Sequence, residues 1–283
     1  MLAIHSLKEL WVGDGDSTVK VVDLTTDTVV ATIDTGGVKR ADELAFDATD
    51  QLIIVANDAD PSCPADGRIG PFFTFISTQT LTVKGYLCYP AATDGLEQTV
   101  WDPATNLFYA AIPATATNLG GEIAVIDPVT MTVKGTPFGV TRCNPHGLAL
   151  GPGQQLLLGC SSAALDSTHP AQTLIIDKTT GVPLATITPL GGSDEVWFNP
   201  GDNHYYLAAS SMTSNGLALG SGSPPATLTP VLGIIDAGDS TTPPSLIDKV
   251  PTAVGAHSVA ADPHTNHIYV PFGAGAVAVY ALD

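Results

Sequence analysis

The sequence predicts an all-β chain, a six-bladed β-propeller of four-stranded antiparallel blades that is imperfectly closed where the N- and C-termini meet. Three observations carry this prediction: a hairpin-like segment recurs, short apolar runs follow its copies, and helical patterning is nearly absent. The segment reads ADELAFDATDQLIIVAND at 41–58. It returns as LEQTVWDPATNLFYAAIP at 96–113, PHGLALGPGQQLLLGCSS at 145–162, SDEVWFNPGDNHYYLAAS at 193–210 and AHSVAADPHTNHIYVPFG at 256–273. Each copy is a strand, a tight turn of Asp, Asn, Gly or Pro, and a second strand. Two more apolar runs follow every copy but the last. The result is four strands in a period of roughly 45 to 60 residues, which is the pattern of a propeller blade.

Composition agrees. Hydrophobic residues make up 44% of the 283, charged ones 13%, and there are 28 Gly and 22 Pro, a balance suited to many short strands joined by turns. A net charge of −18 repels phosphate backbones and anionic lipid, so nucleic acid and anionic membrane are poor partners and neither is expected. No apolar run is long enough to span a bilayer, and MLAIHSLKEL has neither a basic segment nor a long apolar one, so membrane insertion is not expected and no export signal is present in this chain.

In chain order, a single propeller domain over 1–283 divides into blades at 1–40, 41–95, 96–143, 144–192, 193–254 and 255–283. LAIHSLKELWVG at 2–13 aligns with LAFDATDQLIIV at 44–55, which places Met1 where Glu43 stands and leaves the first innermost strand short. The last blade stops after GAVAVYALD, a third strand with no fourth behind it. Either an N-terminal segment has been lost by truncation or processing, or the sixth blade has three strands. Both leave an open edge through which copies of the chain could associate.

The runs LWVGDGDSTVKVVDLTTDTVVATIDTG and HIYVPFGAGAVAVYALD resemble YVTN-type β-propeller repeats, in which a Tyr-Val-Thr-Asn-like second strand precedes a Val-x-Val-Ile-Asp third strand. The resemblance covers essentially the whole chain and implies the fold. It leaves function open, because propellers host lactonases, lyases, oxidoreductases and binding proteins. A distant analogy to the six-bladed senescence-marker and gluconolactonase group implies a divalent metal in a central tunnel. That group's ligand motifs are absent here.

Four cysteines fall into two pairs with compatible positions. Cys143 precedes the first strand of blade four and Cys160 ends its second. Cys63 lies in the long loop of blade two and Cys88 ends its fourth strand. Disulfides Cys143–Cys160 and Cys63–Cys88 imply an oxidising compartment, hence a periplasmic or secreted protein; the alternative is four buried free thiols.

Chemistry is expected where the innermost strands begin, because successive blades direct side chains there to one centre. The equivalent positions are Asp42, Glu97, His146, Asp194 and His257, followed by Glu43, Gln98, Gly147, Glu195 and Ser258. Asp42, His146 and His257 come from alternate blades and form the expected metal set. Two imidazoles with one carboxylate suit Zn, Fe, Mn, Ni or Cu better than Ca. Glu97, Asp194, Glu43 and Glu195 are the catalytic candidates, as general bases or as acceptors for imidazole N–H groups. A water-filled tunnel and a metal-free acid–base site are the alternatives. Lys39, Arg40, Arg142 and Arg68 lie in loops at the same rim and suit a small anionic substrate, or else neutralise the nearby carboxylates.

Two functional classes follow. One is a metal-dependent enzyme performing hydrolysis or lyase/isomerase chemistry on a small organic acid, ester or lactone. The other is a non-catalytic extracytoplasmic binding propeller. Long loops at 56–72 and 210–231 read as lids, and Met212, Leu217 and Leu219 read as an apolar pocket wall or as surface packing. Trp11, Trp101 and Trp197 read as wedges between blades, and His5, His204, His264 and His267 as solvated turn residues.

Overall fold

The computed structural model describes residues 1–161, 168–220, 222 and 227–281, so residues 221 and 223–226 of the second long loop lie outside it. The described residues form six antiparallel sheets and no helix, the six-bladed β-propeller class read from the repeat. The chain divides into two compact units, Met1–Phe138 and Gly139–Asp283.

In the first unit, blade one is β1 (Leu2–Ile4), β2 (Glu9–Gly13), β3 (Thr18–Asp23) and β4 (Thr28–Asp34). Blade two is β5 (Leu44–Asp47), β6 (Leu52–Asn57), β7 (Phe72–Ser77) and β8 (Thr82–Cys88). Blade three is β9 (Thr99–Asp102), β10 (Leu107–Ile112), β11 (Glu122–Asp127) and β12 (Thr132–Val133), and β13 (Phe138–Gly139) also pairs with β11. In the second unit, blade four is β14 (Pro145–Leu150), β15 (Gln155–Cys160), β16 (Thr173–Asp177) and β17 (Pro183–Ile187). Blade five is β18 (Val196–Asn199), β19 (His204–Ala209), β20 (Val231–Asp236) and β21 (Ser245–Pro251). Blade six has three strands, β22 (Ala260–Ala261), β23 (Ile268–Phe272) and β24 (Ala276–Tyr280), and β24 is the last strand of its sheet, with Val277 and Val279 exposed.

Side-chain alternation builds the core. Every residue of β6 is buried, yet the strand serves two layers: Ile53 and Val55 pack with Trp11, Val19 and Val21 of blade one, whereas Ile54 and Ala56 pack with Leu96, Phe108 and Ala110 of blade three. Strand β19 repeats this in the second unit, with Tyr205 and Leu207 facing blade four and Tyr206 and Ala208 facing blade six. Apolar second strands with no polar face are therefore what a sheet sandwiched between two others requires.

The recurrent turn residue has a physical role. Asp47, Asp102, Asn199 and Asp262 each accept a backbone N–H two residues on, and the turns close on Gln51, Asn106, Asn203 and Asn266 in the left-handed region. Blade one closes on Lys8 in the same conformation. Its pairing Ile4↔Glu9 matches Asp47↔Leu52, so Ile4 is the equivalent of Asp47, one residue off the alignment made from sequence.

Asp47 is fully buried. Its Oδ1 accepts from Thr49 and Asp50, while its Oδ2 has no partner. Burial pushes this carboxyl above its ordinary pKa, against the pull of those two N–H groups. The native state then binds the proton more tightly than the unfolded chain. Its contribution to stability is complete below the ordinary aspartate range and is lost as pH rises through the raised native value. Blade five carries Asn199 at this position, and its Nδ2 donates to Asn266 at 3.0 Å. Asp47→Asn is accordingly expected to stabilise the protein at neutral pH by about 1 kcal/mol, the order of one relieved buried acceptor. The gain should vanish in acid, as urea melts at about pH 7 and about pH 3 would show.

Candidate functional site

The positions singled out at the starts of the innermost strands share one backbone device. Asp42 N–H donates to Ala56 O while Ala56 N–H donates to Glu43 O; Glu97, Gln98 and Ala111 repeat the arrangement, as do Asp194, Glu195 and Ala208. Two residues therefore oppose one, which is a β-bulge. In blade four the register also shifts between Pro145 and Gly147, making His146 the extra residue. Bulges re-aim side chains out of the ladder and are enriched beside functional sites. The opposing residue is always small: Ala56, Ala111, Gly159 or Ala208. The aligned residue of blade six is Pro271, which has no N–H to complete the pattern, and His257 instead donates its N–H to Gly255 O at 3.0 Å.

In the second unit three of these side chains converge. Asp194 Oδ1 lies 3.6 Å from His146 Nδ1, and Asp194 Oδ2 lies 3.2 Å from His257 Nδ1. One carboxylate thus faces two imidazoles, one oxygen to each. Side-chain exposure rises from 25% at His146 to 40% at Asp194 and 60% at His257, so the cluster is open to solvent along one side. Glu195 lies beside it. Its carboxylate accepts the Ser258 hydroxyl, and its N–H donates to His257 O at 3.1 Å, which ties the leading segments of blades five and six together.

Glycine makes the His146–Asp194 approach possible. A Cβ on Gly147 would collide with the Asp194 carbonyl oxygen and stand 2.8 Å from Val196 Cγ1, and one on Gly159 would stand 2.8 Å from the same methyl. Cys143–Cys160 then locks the segment that carries His146, and Cys160 O accepts the N–H groups of Gly192 and Ser193 just before Asp194. Gly147→Ala is expected to force blade five's leading segment away and cost about 1–3 kcal/mol, the usual penalty for overpacking. The close approach of Asp194 to His146 should go with it, read as loss of the contacts between the two side chains by NMR.

In the first unit Arg40 is held among carboxylates, 2.7 Å from Asp42 Oδ2 and 3.0 Å from Asp58 Oδ2. Burial works against its charge, but Asp42, Asp58 and Glu97 outweigh it and hold the guanidinium above its ordinary pKa. Asp58 Oδ1 accepts the N–H of Leu96 at 3.1 Å, so the network anchors the segment leading to Glu97. Arg68 pairs with Asp66 at 2.5 Å, while Lys39 and Arg142 are exposed. Both disulfides form as read, Cys63–Cys88 and Cys143–Cys160, so the thiol alternative is excluded and sulfur is not available as a metal ligand.

Other readings change. His204 is not a solvated turn residue: it opens β19, its side chain is 19% exposed, and it stands edge-on to Tyr206. Trp197 is 41% exposed instead of wedged between blades, whereas Trp11 is fully buried and donates to Glu9 at 2.9 Å. Met212 is buried and lines a cavity, but Leu217 and Leu219 do not line it. Sequence reasoning passed over Asp58 and named Ser258 only as the residue after His257, with no role. The repeated bulge was the available signal for Ser258, which follows His257 as Glu195 follows Asp194.

No helix among the described residues is long and apolar enough to cross a membrane. No family model matches the chain, and no curated protein does. Solved structures do match. A chain of the mitotic checkpoint complex is 14% identical with TM-score 0.68, over 97% of this chain and 71% of the other. Kuenenia stuttgartiensis hydrazine synthase is 16% identical with TM-score 0.63, over 93% and 70%. The RRP9 WD40 repeats are 10% identical with TM-score 0.65, over 93% and 69%. At these identities the likeness is one of fold alone.

Proposed function

We propose that this chain is a metal-dependent propeller enzyme acting on a small organic acid, ester or lactone by hydrolysis or lyase/isomerase chemistry, with Asp194, His146 and His257 at its centre. The observation that carries the reading is the single carboxylate facing two imidazoles through their Nδ1 atoms. A carboxylate within ion-pair distance of two imidazoles favours positive charge on either ring, which suits the rings to accept a proton or to stand beside a bound cation. The donor types suit a transition metal, imidazole nitrogen together with carboxylate oxygen and no thiolate. Bound there, such an ion supplies Lewis-acid polarisation of a substrate carbonyl.

The chain's own residues then have distinct tasks. Asp194 orients both rings and stabilises positive charge on either as it takes up a proton. Glu195 holds Ser258 and, through its backbone, the segment bearing His257. Glu43 and Glu97 are proposed as further bases, and Asp42 as a carboxylate held in place by Arg40. Lys39, Arg142 and Arg68 are proposed as the cations that attract an anionic substrate. Two disulfides favour an oxidising compartment, and we place the protein in the periplasm or outside the cell. The strand pattern supports membership of the YVTN-type repeats.

The test is turnover on a panel of lactones, esters and hydroxy acids before and after chelator treatment, with metal restored. Activity lost with chelator and regained with Zn, Mn, Fe, Ni or Cu supports the reading, whereas chelator-resistant turnover leaves a metal-free acid–base site at the same residues. The second reading, a non-catalytic binding propeller, draws on the 60% exposure of His257, which leaves the site open to a macromolecule. It holds if no member of the panel is turned over.

A further inference from the structure

A second site lies in blade five, apart from the histidines. A cavity of about 430 Å³ is lined by Pro189, Met212, Val231, the loop Thr213–Gly216, Thr229 and Lys249. That volume is in the range of small-molecule sites. Its floor is apolar, since Met212 and Val231 are buried. Its lip is polar, with the hydroxyls of Ser214 and Thr229 and the amide of Asn215. Among the described residues that line it, Lys249 is the one charged side chain and none is a carboxylate, in a chain with 28 acidic residues.

The lysine is placed by the sheet. Lys249 on β21 pairs across with Gly233 on β20, and Leu190 packs where a Gly233 Cβ would stand, leaving the lysine stem to run over that face toward Pro189. Its Nζ donates to Pro189 O at 3.2 Å, which leaves two of its three N–H donors for a ligand. Among the described residues Lys249 forms no ion pair, unlike Lys20, Arg40 and Arg68, each of which has a carboxylate beside it. Asp248 is its chain neighbour, and its carboxylate accepts the Lys249 backbone N–H at 2.7 Å without an ion pair to Nζ.

The lip is held before any ligand arrives. Thr213 donates its hydroxyl to Leu217 O, Leu217 N–H donates to Asn215 Oδ1 at 3.1 Å, Gly216 O accepts from Ala171 N–H at 2.8 Å, and Thr229 N–H donates to Met212 O at 2.8 Å. A cation with free donors, hydroxyls beside it and a short apolar floor together match a carboxylate group carried on a small aliphatic body.

We infer that this cavity binds a small aliphatic carboxylic acid as its anion, with the carboxylate on Lys249 and the alkyl part on Met212 and Val231. The site is independent of the proposed catalysis and does not rest on it.

The experiment titrates isobutyrate and 3-hydroxybutyrate, with isobutyramide as the uncharged control, into the intact protein and follows amide shifts by NMR. Both acids should saturate shifts in Thr213–Gly216 and around Lys249, and the amide should bind at least about tenfold more weakly. Lys249→Gln, a change at a half-buried side chain of similar length, should weaken the acids by about tenfold or more and leave the amide unchanged. His257→Ala should leave all three unchanged, which separates this site from the histidine cluster. Equal binding of acid and amide, acid binding unaffected by Lys249→Gln, or absence of saturable shifts in this loop would overturn the assignment.

Discussion

Asp194→Asn is expected to lower turnover by about 10²–10⁴-fold, the range over which a positioned proton-transfer partner acts, and metal affinity by about 10–100-fold, the cost of removing a carboxylate behind a ligating imidazole. The shape of the side chain is kept, so secondary structure should not change. What is lost is the negative charge facing both Nδ1 atoms, at 3.6 Å for His146 and 3.2 Å for His257. An amide carries no charge to offer either ring, and its NH₂ group presents a donor where the carboxylate presented only acceptors. A split between kcat and KM distinguishes this from simple structural damage: kcat and kcat/KM should fall together while the thermal melt changes little.

Breaking the Cys143–Cys160 disulfide by a double Cys→Ser substitution has the second-largest expected effect. The bridge closes a loop of sequence separation 17, for which chain-entropy arguments give about 3 kcal/mol. Denaturant melts of the wild type and the double variant at equal pH measure it. The effect should also reach the site, since Cys143 stands three residues before His146 and Cys160 O receives the N–H groups of Gly192 and Ser193. Loss of the bridge should therefore weaken metal binding as well as stability. Removing Cys63–Cys88, with separation 25, should destabilise by a similar amount and leave metal affinity in the second unit unchanged.

The blades were legible because two local rules repeat. An Asp or Asn turn followed by a left-handed residue marks the first hairpin of blades two, three, five and six, and largely apolar second strands mark sheets buried on both faces. The disulfides were legible for the same reason, since strand ends locate the cysteines. Candidate site positions could be aligned from the turn, and the bulge opposite Ala56, Ala111, Gly159 and Ala208 is their physical counterpart. Pairing between side chains was not legible. Sequence spacing set Asp42 with the two histidines and Asp194 among the accessory carboxylates, whereas rotamers and the close approach at Gly147 put Asp194 against the histidines while Arg40 takes Asp42. His204 and Trp197 were misjudged because their exposure depends on how neighbouring blades pack, which no local pattern encodes. The Lys249 cavity was equally hidden. Only its Met212 wall had been anticipated, because the loop that forms the lip carries no periodic signal.

The central claim is that His146 and His257, prepared by Asp194, hold a transition metal. Isothermal titration of chelator-treated, untagged protein with Zn and Mn, in the wild type and in His146→Ala, His257→Ala and Asp194→Asn, tests it most directly. Stoichiometric binding in the wild type, abolished by either histidine substitution and weakened about 10–100-fold by Asp194→Asn, is the predicted result. Absence of saturable binding, or binding that survives both histidine substitutions unchanged, would contradict it.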